Sequence, residues 1–243
     1  MPEQLWFTHI LNAIFAAPVD GLFHLLRIPA AYPAAPIGNA FAMEVLAALI
    51  LAVFGTWLRT RLSVEKPKSA QHAVEMTWNA IGNHGEEIMG HEVWRFLPYL
   101  FTLTIFILLA NLMGLVPSLD TPTASIEVTL GLAIATFLYY NGVGFKKLGI
   151  KDYPKTFVGP IKALAPFMVP LEIISHFARI LSLSVRLFAN MFAGEILVAL
   201  FIALLPVAGI IFMGLHVFIA LLQAYIFMVL TMVYLSGAVV SEH

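Results

Sequence analysis

The segment Leu181–Leu200, LSLSVRLFANMFAGEILVAL, decides the fold prediction. It is apolar enough to lie in a membrane, yet it contains Arg186, Asn190 and Glu195. A charged side chain at bilayer depth is costly and rare, and by default it indicates a functional site. An arginine cannot avoid this cost by losing its proton, as a buried lysine or glutamate can. The segment therefore predicts that some process in the membrane requires a permanent positive charge.

The composition of the whole chain is that of an integral membrane protein. Its 243 residues are 60% hydrophobic and 11% charged, and the mean hydropathy is +0.91. Soluble domains are about 45–50% apolar and about 25% charged. The net charge of −1 gives no reason to expect nucleic acid as a partner. The absence of cysteine excludes disulfides, thiolate chemistry and cysteine-based metal sites.

Five apolar runs are long enough to cross a bilayer, whose hydrocarbon core is about 30 Å thick. The first three cover residues 38–58, 96–119 and 128–145. The last two, 170–205 and 207–240, flank Pro206, and each predicts a helix of about 50 Å at 1.5 Å per residue. We therefore expect one all-α membrane domain over residues 1–243, whose last two helices form a long, strongly tilted hairpin.

The N-terminal segment, residues 1–37, has a different pattern. Six apolar residues recur at helical spacing and predict a short amphipathic helix at the membrane interface, with a loosely ordered tail as the alternative: Trp6, Phe7, Ile10, Leu11, Ile14 and Phe15. The segment has acidic Glu3 and no basic region, so it does not resemble a cleaved signal peptide. Four prolines predict that residues 17–36 are not one continuous helix: Pro18, Pro29, Pro33 and Pro36.

Basic residues predict the orientation of the helices. The connections after the first and third apolar runs are basic, with Arg59, Arg61, Lys66 and Lys68 in one and Lys146, Lys147, Lys151, Lys155 and Lys162 in the other. The connection after the second run, residues 117–127, contains acidic residues and no lysine or arginine. Since basic loops stay in the cytoplasm, we expect the N-terminus outside and the C-terminus inside.

Five polar residues of the first hairpin helix fall within about 80° of one another at 100° per residue. They form one stripe: Glu172, His176, Arg179, Arg186 and Asn190. Glu195 lies on the opposite face, about 13 Å beyond Arg186 along the helix. No acidic residue stands three or four positions from Arg186, so its neutralisation requires an anion from another subunit. Glu172 also suits a helix N-terminus, and Arg179 suits either neutralisation of Glu172 or extension to the interface.

The second hairpin helix carries His216 and Gln223 on one face, seven residues apart. If the hairpin turns at Pro206, Glu195 and His216 lie at the same level and are able to pair. Such a pair would be either a proton relay or a structural polar contact between two helices.

A second polar cluster stands in the connection between the first two apolar runs and contains His84, Glu86, Glu87, His91 and Glu92. It does not match the HExxH pattern of zinc sites, so a solvated or interfacial helix is the better interpretation. The chain contains no glycine-rich phosphate loop and no nucleophile–His–Asp arrangement. We expect no metal, no cofactor and no catalytic centre of its own.

Three segments resemble subunit a of F-type ATP synthases: PLEIISHFARILSLSVRLFANMFAGE at 170–195, LLQAYIFMVLTMVYLS at 221–236 and NLMGLVP at 111–117. The resemblance covers the chain from about Gly38 onward. It implies a non-catalytic, proton-conducting stator subunit whose partners are the c-subunit ring, the b-subunit peripheral stalk and the bilayer. The order of Glu195 and His216 follows the bacterial arrangement, which implies a bacterial inner membrane.

The resemblance also implies roles for the polar residues. Arg186 matches the essential arginine that faces the ring carboxylates. The outer half-channel positions are matched by Asn190, Glu195, His216 and Gln223. Glu172 and His176 match the inner half-channel, and Asn111 matches a polar site of the second membrane helix. In this scheme Arg186 lowers the pKa of a ring carboxylate and blocks proton leakage between the half-channels.

Two other classes of membrane protein remain as alternatives. A secondary transporter could bind an anionic substrate at Arg186, but that class usually shows internal repeats and broken helices. Neither feature is present in this sequence. A structural scaffold would not require the combination of Arg186, Glu195 and His216.

Overall fold

The computed structural model describes residues 4–26, 35–63, 65, 67–116, 118–149 and 165–239. Within these ranges the chain forms seven α-helices and two 3₁₀ turns and contains no β-strand. The helices are α1 Trp6–Leu26, α2 Asn39–Arg59, α3 Ser69–Met89, α4 Val93–Met113, α5 Ile126–Leu148, α6 Ala165–Leu204 and α7 Pro206–Val239. The 3₁₀ turns are Gly90–Glu92 and Pro122–Ala124. The predicted basic residues Lys66, Lys151, Lys155 and Lys162 lie outside the described ranges.

Five helical segments are long and apolar enough to cross a membrane. They are α2, the joined α3 and α4, α5, α6 and α7. The predicted all-α membrane fold with five membrane helices is confirmed. The polar connection before residue 96 is helix α3, which meets α4 at Gly90, where a φ of 65° suits a residue without a Cβ.

The N-terminal helix α1 extends further than expected. Residues 35–38 are not helical, as the prolines predict, but α1 continues through Pro18 to Leu26. One proline removes only one backbone hydrogen bond. Asn12 is buried, and its side chain both donates to and accepts from the backbone of Ile37, at 3.0 Å each. The position of α1 at the membrane interface stays a prediction.

The core lies between α4, α5, α6 and α7. One buried cluster joins α4 and α7 to Tyr140 of α5 and includes Leu97, Leu100, Met232 and Leu235. A second cluster brings in α6 and includes Ile107, Leu187, Met191 and Phe227. Since lipid tails are as apolar as these side chains, close packing rather than the hydrophobic effect holds membrane helices together.

The hairpin helices exceed the thickness of the bilayer. Helix α6 has 40 residues and α7 has 34, which correspond to about 60 Å and about 51 Å. Helix α6 begins at Ala165, five residues before the predicted start, and contains Pro170. Pro166 lies in its first turn, where backbone amides have no helical partner to lose. Such lengths require a tilt relative to a core of about 30 Å.

Close packing at the closed end of the hairpin depends on Gly209 of α7. A Cβ on this residue would stand 2.5 Å from Ile202 Cγ1 and 2.9 Å from the Ile202 Cα of α6. We expect Gly209→Ala to destabilise the hairpin by about 1–3 kcal/mol, although alanine favours helices elsewhere. Thermal unfolding of the purified protein measures this effect.

Gly214 provides the matched control on the same helix, because a Cβ there would meet nothing within 4 Å. Gly214→Ala should leave the unfolding temperature unchanged or raise it. An equal response of the two variants would contradict the packing argument.

Candidate functional site

Arg186 lies on an exposed face of α6. Its Nη2 donates a hydrogen bond to Ser182 Oγ at 3.3 Å. No carboxylate of the described residues forms an ion pair with it. The neighbouring surface is apolar, with Leu181 58% exposed and Val185 49% exposed. The structure therefore places a permanent charge on an apolar face, where the Ser182 hydroxyl is its one hydrogen-bond partner among the described residues.

Arg179, two turns earlier on the same helix, has the opposite environment. Its Nη2 lies 3.6 Å from Glu172 Oε1, and its guanidinium carbon lies 5.3 Å from the centre of the Tyr234 ring. An ion pair and a cation–π contact both stabilise this charge. The predicted neutralisation of Glu172 by Arg179 is therefore formed. The two arginines differ in their surroundings, since Arg179 has a carboxylate partner and Arg186 has none among the described residues.

His176 completes the cluster around Glu172. Its Nδ1 lies 3.4 Å from Glu172 Oε1 and 3.0 Å from the Glu172 carbonyl oxygen. Its ring packs near Phe137 and Tyr140, with centroids 6.0 Å and 6.2 Å away. The Tyr140 hydroxyl is buried close to Arg179. Sequence reasoning missed the tyrosines, because nothing in their spacing marks them as neighbours of Glu172.

Glu195 is half-buried on α6 and is held by a loop. Its Oε1 accepts a hydrogen bond from the Thr121 backbone N–H at 3.2 Å. The described residues of the α4–α5 loop, 114–116 and 118–125, fold back into the bundle so that Thr121, Pro122 and Thr123 are buried. The sequence predicts this loop only as a connection on the outer side, since a buried loop leaves no periodic pattern. In the structure its buried residues lie against Glu195.

His216 faces the same region from α7 and is 3% exposed. Its Nδ1 lies 2.5 Å from the point that a Cβ on Gly194 would occupy, so the imidazole packs directly on the α6 backbone. This contact places His216 level with Glu195, as predicted. Within the described residues, however, Nδ1 has no hydrogen-bond partner, and Glu195 bonds to Thr121 instead of pairing with His216.

Two buried polar atoms near Glu195 have no protein partner among the described residues: Thr121 Oγ1 and His216 Nδ1. Buried polar groups in proteins are nearly always satisfied, and those without a protein partner are the usual binding positions of water. The region between α6, α7 and the loop is thus suited to a chain of hydrogen bonds that includes water.

Asn111 of α4 holds the loop and α7 together. Its side chain is fully buried, its Nδ2 donates to the Ala220 carbonyl at 3.2 Å, and its Oδ1 accepts from Thr123 Oγ1 at 2.7 Å. The remaining two candidates are less connected. Asn190 is half-buried and Gln223 is buried, and neither makes a side-chain hydrogen bond to another described residue.

The second polar cluster forms ion pairs at one end of the bundle. Glu87 lies 3.4 Å from His84, whose Nε2 lies 2.9 Å from the Tyr225 hydroxyl, and Glu86 lies 2.7 Å from His91. Lys147 at the end of α5 pairs with Glu92. No group of metal-binding side chains is found in the part of the chain that the structure describes.

Comparison with known proteins identifies the family. The family model described as ATP synthase A chain matches residues 41–236, which include every candidate residue named above. The chain belongs to this family. It is 44% identical to ATP synthase subunit a of Koribacter versatilis over 244 residues, which cover 100% of both chains. It is 46% identical to ATP synthase subunit a of Solibacter usitatus, over 86% of this chain and 91% of that one. The resemblance noted in the sequence is confirmed.

Proposed function

We propose that this chain is the proton-conducting stator subunit of the membrane sector of a bacterial ATP synthase. As a member of the family it is a non-catalytic part of the complex, and its partners are the c-subunit ring and the b-subunit peripheral stalk. It offers two offset half-channels to the ring carboxylates, and Arg186 separates them. Proton passage through the two half-channels drives rotation of the ring, which supports ATP synthesis.

The observation that carries the proposal is the contrast between two arginines on one helix. Arg179 is paired with Glu172 and lies near the Tyr234 ring, whereas Ser182 is the one polar partner of Arg186 in the part of the chain that the structure describes. A charge on a lipid-facing surface is too costly to leave unpaired. The face around Arg186 therefore requires an anion from another subunit, and a carboxylate of the ring supplies it.

The ring carboxylate changes its charge as it passes Arg186. In lipid it must be neutral, because an isolated charge in a medium of low dielectric constant is prohibitive. Beside the guanidinium the anion is favoured, so the proton leaves toward the inner side. Arg186 cannot accept this proton and repels others, which keeps the half-channels separate. Each proton carries about 2.3 kcal/mol per 100 mV of membrane potential, which a leak would dissipate.

The two half-channels correspond to two polar clusters. The outer half-channel contains Glu195 and His216, with Asn190, Gln223 and Asn111 along its length. The unpaired Thr121 Oγ1 and His216 Nδ1 support hydration of this region. The inner half-channel contains Glu172 and His176, next to the Tyr140 ring.

The orientation follows from the basic connections. With the N-terminus outside and the C-terminus in the cytoplasm, Arg59 and Lys147 lie on the cytoplasmic side. The ion pair between Lys147 and Glu92 is consistent with a common side for the end of α5 and the start of α4. The whole chain then forms one membrane domain of the bacterial inner membrane.

Site-directed cross-linking tests the proposed contact with the ring. The chain has no cysteine, so Val185→Cys introduces a single thiol beside Arg186. A thiol-specific benzophenone attached there should cross-link to the ring subunit on illumination. Leu138→Cys on α5 is the control, because Leu138 is 63% exposed and lies about 160° around the helix from Thr136 and Tyr140, which are buried in the bundle. Equal yields from both positions, or none from position 185, would refute the contact.

A further inference from the structure

We propose that the α4–α5 loop is an active part of the outer half-channel, in which Gly114 and Thr121 are positioning residues for the Glu195 carboxylate. This inference rests on the proposed outer role of Glu195. It assigns a function to a loop that joins two membrane helices and carries no charge at the contact. Three features of the loop support this inference. They are the space beside Gly114, the backbone N–H of Thr121 and the hydrogen bonds that anchor the loop.

Gly114 provides the space. A Cβ on this residue would stand 1.9 Å from Thr121 Oγ1 and 2.9 Å from Glu195 Oε1. Both distances are shorter than carbon–oxygen contacts between non-bonded atoms. Only glycine therefore allows the end of α4, the Thr121 side chain and the Glu195 carboxylate to meet at one point. The backbone conformation of Gly114 is ordinary, so the reason is the approach and not a left-handed φ.

Thr121 provides the donor. Its backbone N–H bonds to Glu195 Oε1 at 3.2 Å. A backbone amide keeps its proton at every pH that the enzyme meets, so it fixes one carboxylate oxygen without taking part in proton transfer. The other oxygen, Oε2, is then left to exchange protons with its surroundings. A side-chain donor such as histidine could not hold the carboxylate in this way, because it would itself titrate.

Hydrogen bonds hold the loop in a fixed position beside Glu195. Thr123 donates to Asn111, which in turn donates to the Ala220 carbonyl of α7. Thr121 and Thr123 are 3% and 0% exposed. These bonds connect the loop to both α4 and α7, so the position of the Thr121 N–H is fixed relative to His216 as well as to Glu195.

Two variants remove the two contributions separately. Gly114→Ala fills the space, and Thr121→Pro removes the N–H. Proline suits this position because the φ of Thr121 is −76°, close to the value that its ring imposes. Gly131→Ala, where a Cβ would meet nothing within 4 Å, is the matched control, and Thr121→Ala, which removes the hydroxyl but keeps the N–H, shows how much of the Thr121→Pro effect comes from the hydroxyl.

Proton flux is measured in vesicles that contain the intact membrane sector, over a range of outer proton concentrations. Gly114→Ala should reduce the maximum flux about tenfold or more, because small displacements of a reacting group have large effects on rate. Thr121→Pro should also change the outer proton concentration that gives half-maximal flux, by about two- to tenfold, since the carboxylate loses one hydrogen bond. A purely structural role would reduce only the amount of assembled complex, and Gly131→Ala should match the unmodified chain.

Three results overturn or separate the proposals. If Gly114→Ala and Thr121→Pro assemble and conduct within about twofold of the unmodified chain while Glu195→Gln does not, the role of the loop is refuted and the proposed function stands. If Glu195→Gln conducts normally as well, the outer role of Glu195 fails. Should Gly114→Ala not assemble, Gly114→Ala combined with Thr121→Ala removes the 1.9 Å clash, keeps the N–H and leaves the new Cβ 2.9 Å from Glu195 Oε1; normal flux in this assembled variant refutes the need for a glycine, and reduced flux supports it.

Discussion

Arg186→Ala is expected to abolish proton-driven ATP synthesis while leaving the chain assembled. The side chain is exposed and, within the described ranges, makes one hydrogen bond, to Ser182, so its loss removes little from the packing of this chain. Without the guanidinium, a ring carboxylate opposite α6 has no favourable partner for its charged form, and protons can pass directly between the half-channels. Reconstituted liposomes with an imposed proton gradient measure both ATP synthesis and passive leakage.

Arg61 supplies a control for the loss of an arginine as such. It lies at the end of α2, 5.6 Å from the centre of the Trp57 ring, and Arg61→Ala should leave synthesis near the unmodified level. Synthesis above about a tenth of normal in Arg186→Ala would correspond to a loss of less than about 1.4 kcal/mol. That result would contradict the role of Arg186 as the separator.

Glu195→Gln is expected to lower proton flux about 100-fold, because a positioned acid–base group typically contributes a factor of about 10² to 10⁴. Glutamine has nearly the same size, and its amide oxygen can still accept the Thr121 N–H. The change therefore removes proton exchange and keeps the contact with the loop. Passive proton conduction through the membrane sector, measured after removal of the catalytic sector, gives the effect directly.

Glu127 is the matched control for this substitution. It is an exposed carboxylate in the first turn of α5, on the same side of the membrane as the loop. Glu127→Gln should conduct normally, since a solvated carboxylate is easily replaced by water. A similar loss in both variants would indicate that the negative charge of this surface matters, and that proton exchange at Glu195 does not.

The membrane helices could be predicted because their signals are local. Apolar runs, prolines and polar stripes need no knowledge of neighbouring elements, and they gave five membrane helices and a hairpin that turns at Pro206. The pairing of Glu172 with Arg179 was also accessible, since residues seven apart share a face of a helix. The level of His216 relative to Glu195 followed from counting residues on either side of the turn.

The surroundings of Glu195 could not be predicted, because they depend on a loop and on backbone atoms. The contact of the Thr121 N–H cannot be predicted from the type of residue at position 121, since every residue except proline has a backbone N–H. Gly114 reads as an ordinary glycine after a helix, although its role is to let two side chains approach. Tyr140 and Tyr234 reach the Glu172 cluster from other helices, which no spacing along α6 reveals.

The contact between Gly194 and His216 limits how this protein can diverge. The imidazole Nδ1 lies 2.5 Å from the position that a Cβ at residue 194 would occupy. A larger residue at position 194 is therefore compatible only with a smaller one at position 216. Either change alone disturbs the packing between α6 and α7, whereas the two changes together preserve the volume there. A replacement at position 194 therefore requires a smaller residue at position 216, which would also remove the imidazole from the proposed outer half-channel.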